Sequence, residues 1–136
     1  MQAIVISILI AAIQDIFSRL CIPSDYSAVT AALLMVDKNK FEMVHGLEAE
    51  NLSVAFNDVD FCLKLIEQGF NNICLSQVEA YHYESKSRGK EDSREKKNRF
   101  NSEIDYMMTK WKFLLKNDPY YSPNLSLTKE DFSIKI

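Results

Sequence analysis

Residues 56 to 70, FNDVDFCLKLIEQGF, spell out one helix from start to stop, and the rest of the chain must pack around it. Asn57 has the side chain of an N-cap, Phe61, Leu63, Leu65 and Ile66 supply an apolar face, and Gly69 stands where a C′ glycine ends a helix. Two acids, Asp58 and Asp60, sit at the start. Each interacts favourably with the helix macrodipole by about 0.3–1 kcal/mol, which by itself accounts for both. The functional alternative is that Asp58 projects from the helix start into a cleft and takes a proton from a hydroxyl nucleophile as a general base.

The flanking segments predict an α/β layered domain. AVTAALLMV, residues 28 to 36, is short, apolar and bounded by polar turns, as a fully buried strand is. CIPSDYS before it is a break, with Pro23 and a turn-like Ser-Asp. DKNKFEMVHG predicts a short helix capped by Asp37, with Phe41 and Val44 inward and Gly46 at its end, so that His45 is a helix C-terminal residue without a function. NNICLS and VEAYHYES predict two short strands or extended segments. From Glu91, Asp92 and Ser93 a long helix is expected, with Phe100, Ile104, Met107, Met108, Trp111 and Leu114 at helical spacing and Asn117 and Pro119 as its stop. The tail from 119 holds two prolines and little periodicity, which predicts an extended course over the surface.

At 136 residues the chain suits one domain. With 47% hydrophobic and 26% charged residues it has the profile of a globular protein, and a net charge of −3 gives no basic field for nucleic acid. Cys21, Cys62 and Cys74 form no C-x-x-C pair and sit among apolar neighbours, which predicts buried thiols in a reducing compartment. The apolar run from Ala3 to Ile13 is too short for a bilayer, which needs about 20 residues, and lacks the basic start and cleavage site of a signal peptide. It reads as a buried helix or strand, with a membrane-surface role left open by Phe17, Arg19 and Leu20.

Glycine-rich nucleotide loops, G-x-S-x-G and H-E-x-x-H are all missing, and three glycines in the whole chain could not build a phosphate loop. His82, between Tyr81 and Tyr83, is either a hydrogen-bonded structural residue or a metal or phosphate ligand. In ESKSRG, residues 84 to 89, Arg88 can grip a phosphate bidentately while Ser85 and Ser87 donate hydrogen bonds. The basic run that follows, interleaved with acids, reads as the solvated face of a helix.

SAVTAA, FNDVDFCL, YHYESKSRG and NDPYYSPNL occur in this order. With them, the chain from about Gln14 to its end resembles the C-terminal half of the catalytic domain of family 2 glycosyltransferases, in the subgroup linked to O-antigen and rhamnan-type polysaccharides. The resemblance implies a partial GT-A fold: a few-stranded mixed sheet, flanking helices and a long C-terminal helix. It divides a single truncated domain into an apolar helix and linker (1–26), an acceptor-side α/β portion (27–89), the C-terminal helix (90–118) and the tail (119–136). The implied reaction is transfer of a sugar from a nucleotide-sugar donor to a saccharide acceptor hydroxyl. Asp58 then matches the family's general base. Asn57 flanks it toward the acceptor, Asp60 is either structural or in contact with the acceptor, His82 helps hold a divalent metal (magnesium or manganese), and Ser85, Ser87 and Arg88 lie near the diphosphate.

One departure from the family is large. The nucleotide-binding βαβ half is missing, and its D-x-D motif is matched in form only by DVD, Asp58 to Asp60, which belongs to the other motif. The chain is therefore expected to be inactive alone, and to lie in the cytoplasm or at the inner face of the membrane. Its partner would be the missing N-terminal half or a second copy. The alternative is a non-catalytic binding or assembly module that dimerises or docks on another subunit through the surface a half-domain leaves uncovered.

Overall fold

The helix written into residues 56 to 70 does form, and the chain packs on two of its sides. The computed structural model describes residues 22–78, 93–129 and 132–135. In chain order these give strand β1 (Ser24–Tyr26), a 3-10 turn (Ala31–Leu33), α1 (Lys38–Met43), α2 (Asn57–Glu67), β2 (Asn72–Cys74), α3 (Arg94–Lys110) and α4 (Lys112–Lys116). β1 and β2 pair antiparallel, with Asp25 opposite Ile73. The domain is α/β, and the sheet within the described residues is this two-stranded ribbon, smaller than expected.

α2 is the axis of the packing. Phe61, Cys62 and Leu65 face one cluster with Val29, Val44 and Cys74. Leu63 faces a second cluster with Leu52, Met107 and Trp111, against which Val59 and Ile66 also pack. The sequence pattern suggested one apolar face. The helix has two because it is sandwiched between the sheet side and α3, and a helix apolar on most sides is one covered on most sides. Burying a residue such as Phe61 or Leu65, both without exposed surface, contributes about 2–3 kcal/mol.

α1 forms as its local chemistry requires. The Asp37 Oδ1 accepts the N–H groups of Asn39 (2.9 Å) and Lys40 (3.3 Å). At the other end His45 and Gly46 both take left-handed φ values of 59° and 60°, and the Gly46 N–H returns to the Phe41 carbonyl at 2.8 Å. The Phe41 ring packs 5.3 Å from that of Phe61.

Three expectations require correction. AVTAALLMV is not a buried strand: Val29 alone of its nine residues is buried, and Met35 is 63% exposed. The backbone donors a strand would give to a ladder go to side chains instead: the Ala32 N–H to the Thr30 hydroxyl (3.2 Å) and the Ala31 N–H to Asp58 (3.1 Å). Ser24–Tyr26, read as part of a break, is β1. Asn57 is not the N-cap of α2 but its first helical residue. The cap position belongs to Phe56, left-handed at φ 63° with no side-chain hydrogen bond of its own.

α3 begins on Ser93, whose hydroxyl accepts the Lys96 N–H at 3.2 Å. It pauses at Trp111 and resumes as α4, which stops at Asn117. The tail turns back on itself, with Leu125 bridging to Ile134, and Asp118 accepts a hydrogen bond from the Ser27 hydroxyl. Among the described residues, no helix is long and apolar enough to cross a membrane. The remaining strand expectation, VEAYHYES, lies beyond Val78 outside the described residues, as do the apolar run 3–13 and Cys21.

Candidate functional site at the start of α2

Asp58 and Asp60 are one residue apart in sequence and point in different directions. Successive residues on a helix turn by 100°, so positions i and i+2 do not share a face. Asp58 turns toward the segment 29–33. Its Oδ2 accepts the Ala31 N–H at 3.1 Å and its Oδ1 accepts the Val59 N–H at 2.9 Å, one of the open donors of the first turn. The side chain is half-buried, and no cation pairs with it among the described residues. Each oxygen retains an acceptor site. Asn57 stands beside it, also half-buried, at the first helical position.

Asp60 turns the other way and has no exposed surface. Its Oδ1 accepts from the Lys110 ammonium at 2.7 Å and from the Trp111 indole N–H at 2.8 Å, and its Oδ2 lies 3.1 Å from the Lys64 ammonium. Burial alone would raise its pKa. The hydrogen bonds from Lys110, Trp111 and Lys64 outweigh it and hold the carboxyl below the usual range. Lys110 responds in kind: burial would lower its pKa, while Asp60 and Tyr106 raise it. Lys64 also donates to the Gly46 carbonyl at 2.6 Å, tying the end of α1 to the same carboxylate. Of the two roles expected for Asp60, structural or acceptor-contacting, its position fits the structural one: it anchors α2 to α3 out of reach of solvent.

A second buried carboxylate, missed from the sequence, runs in the opposite sense. Glu103 of α3 is 1% exposed. Its Oε1 accepts the Val54 N–H (3.0 Å) and the Ser53 hydroxyl (3.2 Å), and its Oε2 accepts the Ala55 N–H (3.1 Å). One signal could have found it: Phe100, Glu103, Met107 and Trp111 fall at spacings that place them on one stripe of α3, and an acid on an apolar stripe is buried with partners or not at all.

The described residues do not fit a divalent metal. They contain no cluster of three His, Cys, Asp or Glu that could hold one, and Asp58 and Asp60 diverge. His82, Ser85, Ser87 and Arg88 lie outside the described residues. Cys62 and Cys74 are buried. Burial pushes the Cys62 thiol up to about 11, and its S–H donates to the Val29 carbonyl at 3.7 Å. An open depression of about 750 Å³ lies in the tail, between Lys116, Tyr121, Leu127 and Lys135; none of the expected site residues lines it.

Two much longer proteins are among those similar to this chain. The uncharacterised protein y4gI of Sinorhizobium fredii is 48% identical over 116 residues, 85% of this chain and 13% of that protein. The O-antigen biosynthesis protein RfbC of Myxococcus xanthus is 32% identical over 115 residues, 82% of this chain and 8% of that protein. The chain thus spans a small fraction of the curated relatives it matches. No family model matches the chain, and no solved structure matches it.

Proposed function

We propose that this chain is the acceptor-side portion of a family 2, GT-A type glycosyltransferase of polysaccharide synthesis, with Asp58 as its general base. The observation that carries the reading is the contrast between the two acids of α2. Asp60 is neutralised by two lysines and an indole, while Asp58 sits half-buried with two backbone contacts and lone pairs to spare. The 32% identity to a protein named for O-antigen biosynthesis supports the choice of substrate class.

In the reaction the acceptor hydroxyl oxygen attacks the anomeric carbon of the donor, its proton passes to the Asp58 carboxylate, and the bond to the nucleoside diphosphate breaks with inversion. Asn57 flanks the acceptor. The leaving diphosphate belongs with His82, Ser85, Ser87 and Arg88, and a metal that offsets its charge would need ligands from outside the described residues. Purified alone, the chain is expected to release no nucleoside diphosphate in a donor-dependent manner, and such release would overturn the half-site reading.

The role of Asp58 is tested by replacing the matching segment of the Myxococcus protein with this chain and measuring polysaccharide output in cells lacking the native gene. Asp58→Asn keeps an acceptor for the Ala31 N–H, so the fold should persist while output falls by about 10²-fold or more, the range of a lost general base. Undiminished output from that variant would refute the role.

A second reading rests on the exposed apolar side chains, among them Ile22 (60%), Met35 (63%) and Phe113 (75%). Large apolar side chains left at the surface are what a binding or assembly module would use. Light scattering discriminates: a clean monomer at micromolar concentration argues against self-association.

A further inference from the structure

We propose that Glu103, assisted by the ring of Phe100, is a positioning residue for Asp58: from α3 it fixes the loop that launches α2 and so aims the Asp58 carboxylate at the segment 29–33. The proposal rests on the reading of Asp58 as the reacting group, but its geometry stands by itself.

The Glu103 carboxylate engages three consecutive residues, Ser53, Val54 and Ala55, at 3.0–3.2 Å. The next residue, Phe56, is left-handed at φ 63°, a conformation a bulky side chain does not adopt unaided. Two contacts from α3 bracket it. Glu103 holds the residues before Phe56, and the Phe56 ring stacks on that of Phe100, with centroids 5.5 Å apart and planes at 29°. Phe100 and Glu103 are three apart on α3 and therefore share a face. The Phe56 carbonyl then accepts the Asp60 N–H at 2.8 Å, which closes the first turn of α2 with Asp58 inside it. The direction in which Asp58 leaves the helix is set by where that turn begins. The strain at Phe56 is held by α3 at the point where a carboxylate must be aimed, which is how strained backbone is commonly used at functional sites.

The same carboxylate organises what it faces. Its Oδ2 holds the Ala31 N–H, and through it the exposed turn Ala31–Leu33. Glu103 therefore acts on Asp58, and Asp58 on residues 31 to 33, in a chain of contacts from α3 to the front of α2.

The test uses amide NMR of the 136-residue chain and needs neither donor nor acceptor. The Ala31 amide shift should follow the acid titration of Asp58, with the Asn39 amide, bonded to Asp37, as an internal reference. Glu103→Gln places an NH₂ group against the loop donors, so the Ala31 titration shift is expected to fall at least twofold while that of Asn39 is unchanged. A merely structural Glu103 would lower the urea midpoint and leave both titrations as they were, and that result overturns the proposal. Should Glu103→Gln fail to fold, Phe100→Leu, which withdraws the stacking and keeps the carboxylate, decides it: a diminished Ala31 titration supports the proposal and an unaltered one refutes it. An inert protein in the transfer assay would count against Asp58 as a base without touching this result.

Discussion

Removing the Asp60 carboxylate is the sharpest test of how this domain is held together. Three donors converge on it: the Lys110 ammonium at 2.7 Å, the Trp111 indole at 2.8 Å and the Lys64 ammonium at 3.1 Å. Withdrawing one partner from a buried ion pair costs about 3–5 kcal/mol because the remaining charge is stranded. Here the lysine side chains keep 32% and 17% of their exposure and can turn to water, so that contribution is discounted to about 2 kcal/mol. The indole N–H has no such escape, since Trp111 is 3% exposed, and leaving it unpaired costs about 1–3 kcal/mol. Asp60→Ala should therefore destabilise by about 4 kcal/mol. Asp60→Asn, which retains an acceptor for the indole, should cost about 2 kcal/mol. For a domain of this size the alanine variant corresponds to a loss of roughly 12–16 °C in Tm. Urea unfolding followed by fluorescence of the single tryptophan reads both, because Trp111 itself contacts the carboxylate. An alanine variant within about 0.5 kcal/mol of the parent, the range of ordinary surface substitutions, would show that the convergence does not hold α3 to α2.

The same site predicts a stability plateau in pH. Asp60 has a lowered pKa, so its contribution is present above the ordinary carboxylate range and is lost as pH falls through that range toward the folded value. Lys110 has a raised pKa, so its contribution is present below the ordinary lysine value and is lost as pH rises through the folded one. Asp60→Asn should weaken both limbs in urea midpoints measured from pH 2 to 12; two unaltered limbs would assign them elsewhere. Gly46→Ala should destabilise by roughly 1–2 kcal/mol by the same assay, since the residue is left-handed and the new Cβ would stand 2.7 Å from the Phe41 ring. Cys62 and Cys74 should resist a thiol-reactive disulfide at pH 8 until urea unfolds the chain, and rapid native labelling would contradict their burial.

What was legible in the sequence is what depends on near neighbours. Asp37 and Gly46 bound α1 through contacts within a few residues, so the chain names them directly. α2 announces itself through spacing alone. The segment 28–36 misled because a short apolar run carries no sign of its partners. A strand needs a ladder, and the donors of this one are held by Thr30 and Asp58. Asn57 misled for a related reason. Of the open donors at the head of α2, the Val59 N–H is met by Asp58, and the loop before the helix is held by a carboxylate 46 residues beyond Asn57, Glu103. No local reading of FNDV contains that information.

The pair Asp58 and Asp60 makes the point about function. As helix-start acids they are interchangeable in their attraction to the macrodipole. Helix geometry then separates them, since two residues of rotation send one toward α3 and the other toward the turn at 31–33. What distinguishes their chemistry therefore comes largely from α3 and the residue that follows it, with Lys64 of α2 as a third partner. By supplying Lys110, with Trp111 next in the chain, α3 commits Asp60 to a buried contact, and by supplying Glu103 it holds the loop from which Asp58 departs. A buried carboxylate held by two ammonium groups and an indole anchors; a half-buried one with acceptor capacity to spare can take a proton. α3 thus turns an ordinary helix start into an asymmetric site. It follows that substitutions on the Phe100–Trp111 stripe should disturb Asp58 more than their distance along the chain suggests.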